Sequence, residues 1–158
     1  VSKRSVCGII TPCHSRRINL PIFELHHQLA EDCILLSDLD LSRLLLMNNK
    51  DFPWCILVPR INGIREIHEL DEANQQALLR ESSELSQVML QVFNGEKMNI
   101  AALGNMVPQL HVHHIARVKT DKAWPNPVWG YEIGSTYSAK GIEQIRDKLA
   151  AGFKAVKS

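Results

Sequence analysis

Long apolar runs are missing from this chain of 158 residues. No stretch approaches the roughly 20 residues that a membrane-spanning helix needs. The runs that do occur, such as Leu44–Met47, are short and suit buried strands. The basic N-terminus is not followed by the apolar segment of a signal peptide. A surplus of one charge is missing as well. Lys and Arg number 18 against 17 Asp and Glu, a formal net charge of +1. That balance gives no overall electrostatic drive toward nucleic acid or a membrane surface. The four cysteines, Cys7, Cys13, Cys33 and Cys55, include no Cys-x-x-Cys pair, which disfavours a zinc ribbon. Cys7 and Cys13 with His14 are a group with metal-ligand chemistry at loose spacing. Cys33 and Cys55 sit in apolar segments and read as small core residues. Reduced thiols in a cytoplasmic protein are the expectation. Internal repeats and low-complexity tracts are also absent.

What is present is the composition of an ordinary globular domain, 45% hydrophobic and 22% charged. A chain of this length buries a real core without disulfides or metal. Residues 1–20 are basic, contain Gly and Pro, show no periodicity, and read as a loose arm or partial strand. Residues 21–158 read as one domain ending in a helical extension. Phe23, Leu25 and Leu29 suggest a short helix over 23–31. Cys33–Leu36, Ser42–Met47 and Trp54–Val58 read as strands, separated by the turn-like 37–40 and the polar 48–51. The clearest helix spans Asp71–Phe93, with Asp71 as N-cap and Leu78, Leu85, Met89 and Val92 on one stripe. Asn94-Gly95 supplies its C-cap. Lys97–Leu103 and Leu110–Val118 read as two more strands. A Pro- and Trp-rich stretch, Ala123–Gly130, precedes an amphipathic helix over Lys140–Val156. This order predicts an α+β fold, an antiparallel meander of about five strands with a long central helix and its helices on one face.

The informative segment is Gly104-Asn105-Met106-Val107-Pro108-Gln109-Leu110-His111-Val112-His113-His114. Alternate strand residues share a face, about 7 Å apart. Gln109, His111 and His113 therefore form a polar ladder on one face, opposite Leu110, Val112 and His114. A structural sheet gains little from such a ladder, whereas phosphate chemistry gains much. A neutral imidazole attacks phosphorus, and a second one donates a proton or hydrogen bond. From spacing alone, a zinc-ligand pair and a structural pair of exposed histidines stay open beside the nucleophile reading.

The segment resembles the histidine triad (HIT) family, whose motif is His-φ-His-φ-His-φ-φ after Gly-Gln-x-Val-x. Gly104, Val107, His111, His113 and Ile115-Ala116-Arg117 fix the register. Trp54-Cys55-Ile56-Leu57-Val58-Pro59 is similar to the family's Gly-His-x-Leu-Val-x-Pro strand, and Asp71–Phe93 lies where the family has its central helix. Coverage is about residues 20–120. A bacterial branch has Val-Pro-Gln-Leu-His-x-His followed by Asp-x-Ala-Trp-Pro-x-Pro-Val-Trp-Gly, and Asp121–Gly130 follow that pattern. Departures are concentrated in the histidines. Gln109 holds the first triad position, Asn105 replaces the usual Gln, and His114 stands where an apolar residue is usual. Trp54 and Asn62 stand where the family often has histidine.

The resemblance implies attack by His111 on the α-phosphate of a nucleoside phosphate derivative, through a nucleotidyl-histidine. It implies a nucleotide hydrolase or nucleotidyl transferase that uses no metal or cofactor. Asn105, Gln109, His113 and the backbone amides around Met106 and Val107 would supply donors to phosphate. Gln109 hydrogen-bonds but cannot act as an acid, so the alternative is a nucleotide-binding protein with little turnover. Asn48 and Asn49 lie where related proteins hold the ribose, or simply form a polar turn, and Asn99 lines the site or serves the sheet edge. His26, His27 and His68 read as surface or helix-end residues, His114 as a core residue, and Arg117 as a surface residue ahead of a distant phosphate contact. Trp124 and Trp129 anchor the Pro-rich connection, pack at a subunit contact or wall the site. The family pairs its sheets, so a homodimer is implied, with Lys97–Leu103 and the end of the long helix in contact. The implied partner is a small-molecule nucleotide, with no nucleic acid and no membrane.

Overall fold

The structure, a computed structural model, describes residues 22–131 and 134–157. The N-terminal arm expected over 1–20, with Cys7, Cys13 and His14, lies outside the described residues. The chain runs α1 (His27–Asp32), β1 (Cys33–Asp38), β2 (Ser42–Met47), β3 (Trp54–Pro59), a short 3₁₀ turn at Ile67–Glu69, α2 (Glu72–Val92), β4 (Lys97–Ala101), β5 (Val112–Arg117) and α3 (Ala139–Lys157). All neighbouring strands pair antiparallel in the order β1-β2-β3-β5-β4. The fold is thus α+β with a five-stranded sheet. It departs from a simple meander at its end, because β5 returns between β3 and β4. Among the described residues no helix is long and apolar enough to cross a membrane.

Central position explains why β3 and β5 are buried at every residue. Leu44, Leu46, Cys55, Leu57, Val112 and Ala116 pack on one face against Leu78, Leu85, Val88 and Met89 of α2 and Leu149 of α3. Leu45, Trp54, Ile56, Val58 and Ile115 occupy the other face with Leu29 of α1 and Val107, Ala123 and Val128 from loops. Only α2 and α3 therefore share a face. The second face is covered by α1 and two connections, because the central strands carry apolar residues on both sides.

Local chemistry sets the ends of α2. The Asp71 carboxylate accepts the Asn74 N–H at 2.8 Å. At the other end Asn94 takes the left-handed conformation, φ 51°, which asparagine tolerates. Gly95 then passes close to β5, where a Cβ would stand 3.1 Å from that of Ala116. Helix α3 crosses α2 at Gly152, where a Cβ would meet Val88 Cγ1 at 2.6 Å. A β-bulge between Leu35 and Ser37 interrupts the β1–β2 ladder. Arg146 of α3 donates to the carbonyls of Leu35 and Leu36 there.

Two polar residues are buried where the sequence reading differs. Arg117, expected at the surface, is 1% exposed. It pairs with both Asp121 oxygens at 2.6 and 2.9 Å and donates to the Asn126 carbonyl at 3.0 Å. The bidentate pair folds the 119–129 connection back onto the sheet, with Trp124 over the guanidinium. Glu81 of α2 is also buried, and accepts the backbone N–H groups of Leu41 and Ser42 at 2.7 and 3.1 Å.

His114 is fully buried on the helix face, as expected for a core residue. Its Nδ1–H donates to the Val112 carbonyl at 3.1 Å, and its Nε2 takes the Ser82 hydroxyl at 2.7 Å. Burial holds the ring neutral down to about 4, against the opposing hydrogen bond to Val112. A lowered histidine value makes the folded state bind fewer protons than the unfolded chain. Its stability contribution is therefore complete above pH 6.5 and is lost as pH falls from there toward 4. Between pH 7.5 and pH 5 the loss is about 2 kcal/mol. Urea denaturation of wild type and His114→Gln at the two pH values should show a pH difference smaller by about that amount in the variant. Equal differences in both proteins would show that His114 titrates normally in the fold.

Candidate functional site

The strand expected to begin at Leu110 begins two residues later. β5 starts at Val112, so His111 and Gln109 lie on the approach to the strand, not on it. The Leu110 N–H leaves the sheet to bond the Ile64 carbonyl at 2.9 Å. His111 and His113 nevertheless share a side, their rings 4.8 Å apart and nearly perpendicular at 81°. His111 Nδ1 stands 2.7 Å from the Gln109 carbonyl oxygen. A carbonyl only accepts, so Nδ1 carries the proton and Nε2 keeps its lone pair. The assignment follows from the hydrogen-bond network.

Both rings open into a cleft of about 730 Å³, a volume suited to a small ligand. The loop before β5 contributes Leu103, Gly104, Asn105, Met106 and Val107 to its wall. Helix α1 and its cap contribute His26, His27, Gln28, Leu29 and Asp32. Met47, Trp54 and Trp129 complete the lining. Trp54, the first residue of β3, places its indole Nε1 at 3.0 Å from His113 Nδ1. Trp129 stands edge-on to both His113 and Trp54, with centroids 5.6 Å away in each case. Burial, then the neighbouring His111 and His114, lowers His113 to about 3. Among the described residues no group of three or more His, Cys, Asp or Glu is placed to hold a metal ion.

Five of the eight residues proposed from sequence meet here: His111, His113, Asn105, Met106 and Val107. The other three are committed elsewhere. Gln109 Oε1 accepts the His26 N–H at 2.9 Å, and its Nε2 donates to the Glu24 carbonyl at 2.9 Å. Its amide is thus spent on an adjoining segment, and only its backbone carbonyl serves His111. Asn99 Oδ1 accepts from Arg117 Nη1 at 2.7 Å, inside the buried ion-pair network. Asn48 Oδ1 accepts the Tyr137 N–H at 3.0 Å, ahead of α3. Asn49, its neighbour, is buried and turns back to the Asp51 N–H at 3.0 Å.

Sequence reasoning missed His26 and Trp54 as lining residues. His26 does end a helix, as expected, since its Nδ1 accepts the Gln28 N–H at 3.2 Å. It reaches the cleft because Gln109 and Asn62 hold residues 22–26, Asn62 through Glu24 N–H at 3.2 Å and the Ile22 carbonyl at 3.1 Å. No local pattern announces that long-range tie. For Trp54 a signal existed, a ring with an N–H at a position where the family often has histidine. Trp129 walls the site and also packs against the core beneath it.

Comparison with known proteins bears on the same residues. The HIT domain family model matches residues 28–120. A histidine triad protein from Marinobacter aquaeolei is 50% identical, with 85% of this chain and 98% of that one covered and a TM-score of 0.82. One from Bradyrhizobium japonicum is 42% identical, with 84% and 99% covered and a TM-score of 0.81. One from Sinorhizobium meliloti is 36% identical, with 82% and 96% covered and a TM-score of 0.81. No curated protein matches. The matched residues include both cleft imidazoles and every strand of the sheet, and the chain belongs to the histidine triad (HIT) family.

Proposed function

We propose that the protein is a nucleotide hydrolase or nucleotidyl transferase acting at the α-phosphate of a nucleoside phosphate derivative, such as a dinucleoside polyphosphate or a phosphoramidate. One observation carries this reading: His111 Nδ1 is tied to the Gln109 carbonyl at 2.7 Å in the wall of a nucleotide-sized cleft. The tie leaves Nε2 as the basic nitrogen. Its lone pair forms the bond to phosphorus, and the bond from phosphorus to the leaving group breaks. The leaving group departs with that electron pair and takes a proton from water. The ring then carries a positive charge, which the Nδ1–H···O bond to Gln109 stabilises. Water next attacks phosphorus and gives its proton to solvent. The N–P bond breaks, its pair returns to Nε2, and a nucleoside monophosphate leaves. An alcohol or phosphate in place of water gives transfer. Neutral donors, Asn105 and the amides of the 104–107 loop, suit the phosphate oxygens. Free thiols at Cys33 and Cys55 support a reducing, cytoplasmic setting.

Adenylyl and guanylyl substrates should give a burst of one monophosphate per subunit and then steady turnover. His111→Ala should remove both, a loss of roughly 10⁴ or more. Tight binding with no release by the wild type would instead favour a nucleotide-binding protein with little turnover.

Gln109→Ala tests the division of labour at that residue. Alanine keeps the carbonyl that holds His111 but drops both side-chain bonds to 24–26. KM should rise about tenfold, the equivalent of one net hydrogen bond, with kcat within about threefold of wild type. A large fall in kcat at constant KM would mean that the amide acts on the phosphate.

A homodimer belongs to the same reading. The end of α2, an expected contact, is covered by α3 at Val88 and Gly152. Exposed apolar side chains lie on the first half of α2 and on edge strand β4, the latter within the other expected contact. Leu79 is 68% exposed and Ile100 51%. With Ile67, Leu78 and Val112 they line a groove of about 500 Å³, a surface that monomers seldom leave open beside an unpaired edge strand. Light scattering at micromolar concentration should give a dimer for wild type and a monomer for Leu79→Asp/Ile100→Asp. A monomeric wild type would sink the proposal.

A further inference from the structure

We propose that Trp54 is the positioning residue for His113: its indole N–H fixes the imidazole with the proton on Nε2, so that His113 meets a phosphate oxygen in the cleft as a permanent hydrogen-bond donor and does not act as an acid. This rests on the reading of His111 as nucleophile.

An indole nitrogen donates and never accepts. Its 3.0 Å contact therefore takes the lone pair of His113 Nδ1. The neutral ring has one proton left to place, and only Nε2 is free to hold it. Register gives the contact its rigidity. Ile56 stands opposite His113 and Trp54 opposite Ile115, so Trp54 is the diagonal neighbour on the same face. The indole is 8% exposed and boxed by Trp129 at 5.6 Å. His113 lines the cleft, and the hydrogen bond that its ring makes is the one from Trp54 to Nδ1.

A cationic His113 would need a proton on Nδ1, pointing it at the indole N–H. The titratable groups around the ring give that cation no support. His111 shares its side of the chain, His114 follows it on the opposite face, and His26, His27 and Asp32 line the α1 wall. Asp32 is bonded to Gln28 at 2.9 Å. Trp54 and Trp129 are neutral, as are the strand partners Ile56 and Ala101. Burial, which lowers His113 to about 3, acts in the same direction. A fixed donor at Nε2 can polarise the phosphate but cannot protonate a departing group. The substrates that suit such a site carry leaving groups that depart as anions, phosphate or pyrophosphate chains in preference to alkoxides.

Long-range ¹H–¹⁵N correlation on the labelled protein reads the tautomer directly. Wild-type His113 should show a protonated Nε2 and an unprotonated Nδ1 across pH 5–8, without titration. Trp54→Phe keeps the ring stack and removes the donor. In that variant His113 should populate both tautomers and begin to titrate in this range. Its kcat/KM should fall about ten- to a hundredfold, with a new pH dependence below pH 7 that wild type lacks. Trp54→His, which restores a ring N–H, should recover much of the loss. A proton on Nδ1 in wild type overturns the proposal, and so does a Trp54→Phe variant with unchanged tautomer and pH response. Should Trp54→Phe fail to fold, the wild-type spectrum still decides the tautomer. His113→Gln, whose amide reaches where Nε2 stands, should then retain more activity than His113→Asn. If wild type releases no monophosphate, the hydrolase reading fails. The spectrum, and adenosine monophosphate affinity in the Gln and Asn variants, still judge the role of His113.

Discussion

The site depends on β5 lying between β3 and β4 with both faces covered. A strand in that position cannot place a polar side chain in water, so each one must find a partner. Alternation then sends consecutive histidines to opposite fates. His113 meets an indole and a cleft, and His114 meets a serine of α2 and a backbone carbonyl. Burial drives both below the ordinary histidine range, but only His113 has an open side. At the end of the strand Arg117 is buried as well, and the ion pair that compensates it pulls in the 119–129 connection. That connection brings Trp129 to the cleft. One buried strand thus positions the imidazoles, the aromatic wall and the loop that closes it.

His111 escapes this constraint because the ladder has not yet begun at its position. Leaving the sheet frees the Gln109 carbonyl to accept from the ring. The His111 ring is therefore fixed by backbone, which makes the side chain at 109 available for other work. Here it ties residues 24–26 to the body, and Asn62 ties the same segment further back. The two amides act as clamps, and the segment they hold carries His26 into the cleft.

Much of this was legible in the sequence, wherever the signal was local. Helical spacing and an Asp cap announced α2, and short apolar runs between polar turns announced β1 to β3. Strand alternation separated His113 from His114. What was hidden depends on pairings that no local pattern encodes. The place of β5 between β3 and β4 follows from tertiary packing, and without it the Trp54–His113 contact cannot be read. Arg117 looked like a surface residue because its partner Asp121 is a turn away in a loop. Asn99, Asn48 and Gln109 were plausible ligands by residue type, but amides bond whatever donor or acceptor the fold delivers first. In each case that was protein, not cleft.

The donors proposed for the phosphate oxygens are neutral: the His113 imidazole, Asn105 and the loop amides. The Arg117 guanidinium, though close in sequence, is already committed to Asp121. Neutral donors compensate one negative charge well and two poorly, since each supplies a partial charge only. An α-phosphate esterified on both sides carries one charge, whereas a terminal phosphate carries nearly two. The neutral donors of the wall therefore suit the internal phosphate that we propose as the point of attack. That match supports the proposed transfer of a nucleotidyl, not a phosphoryl, group.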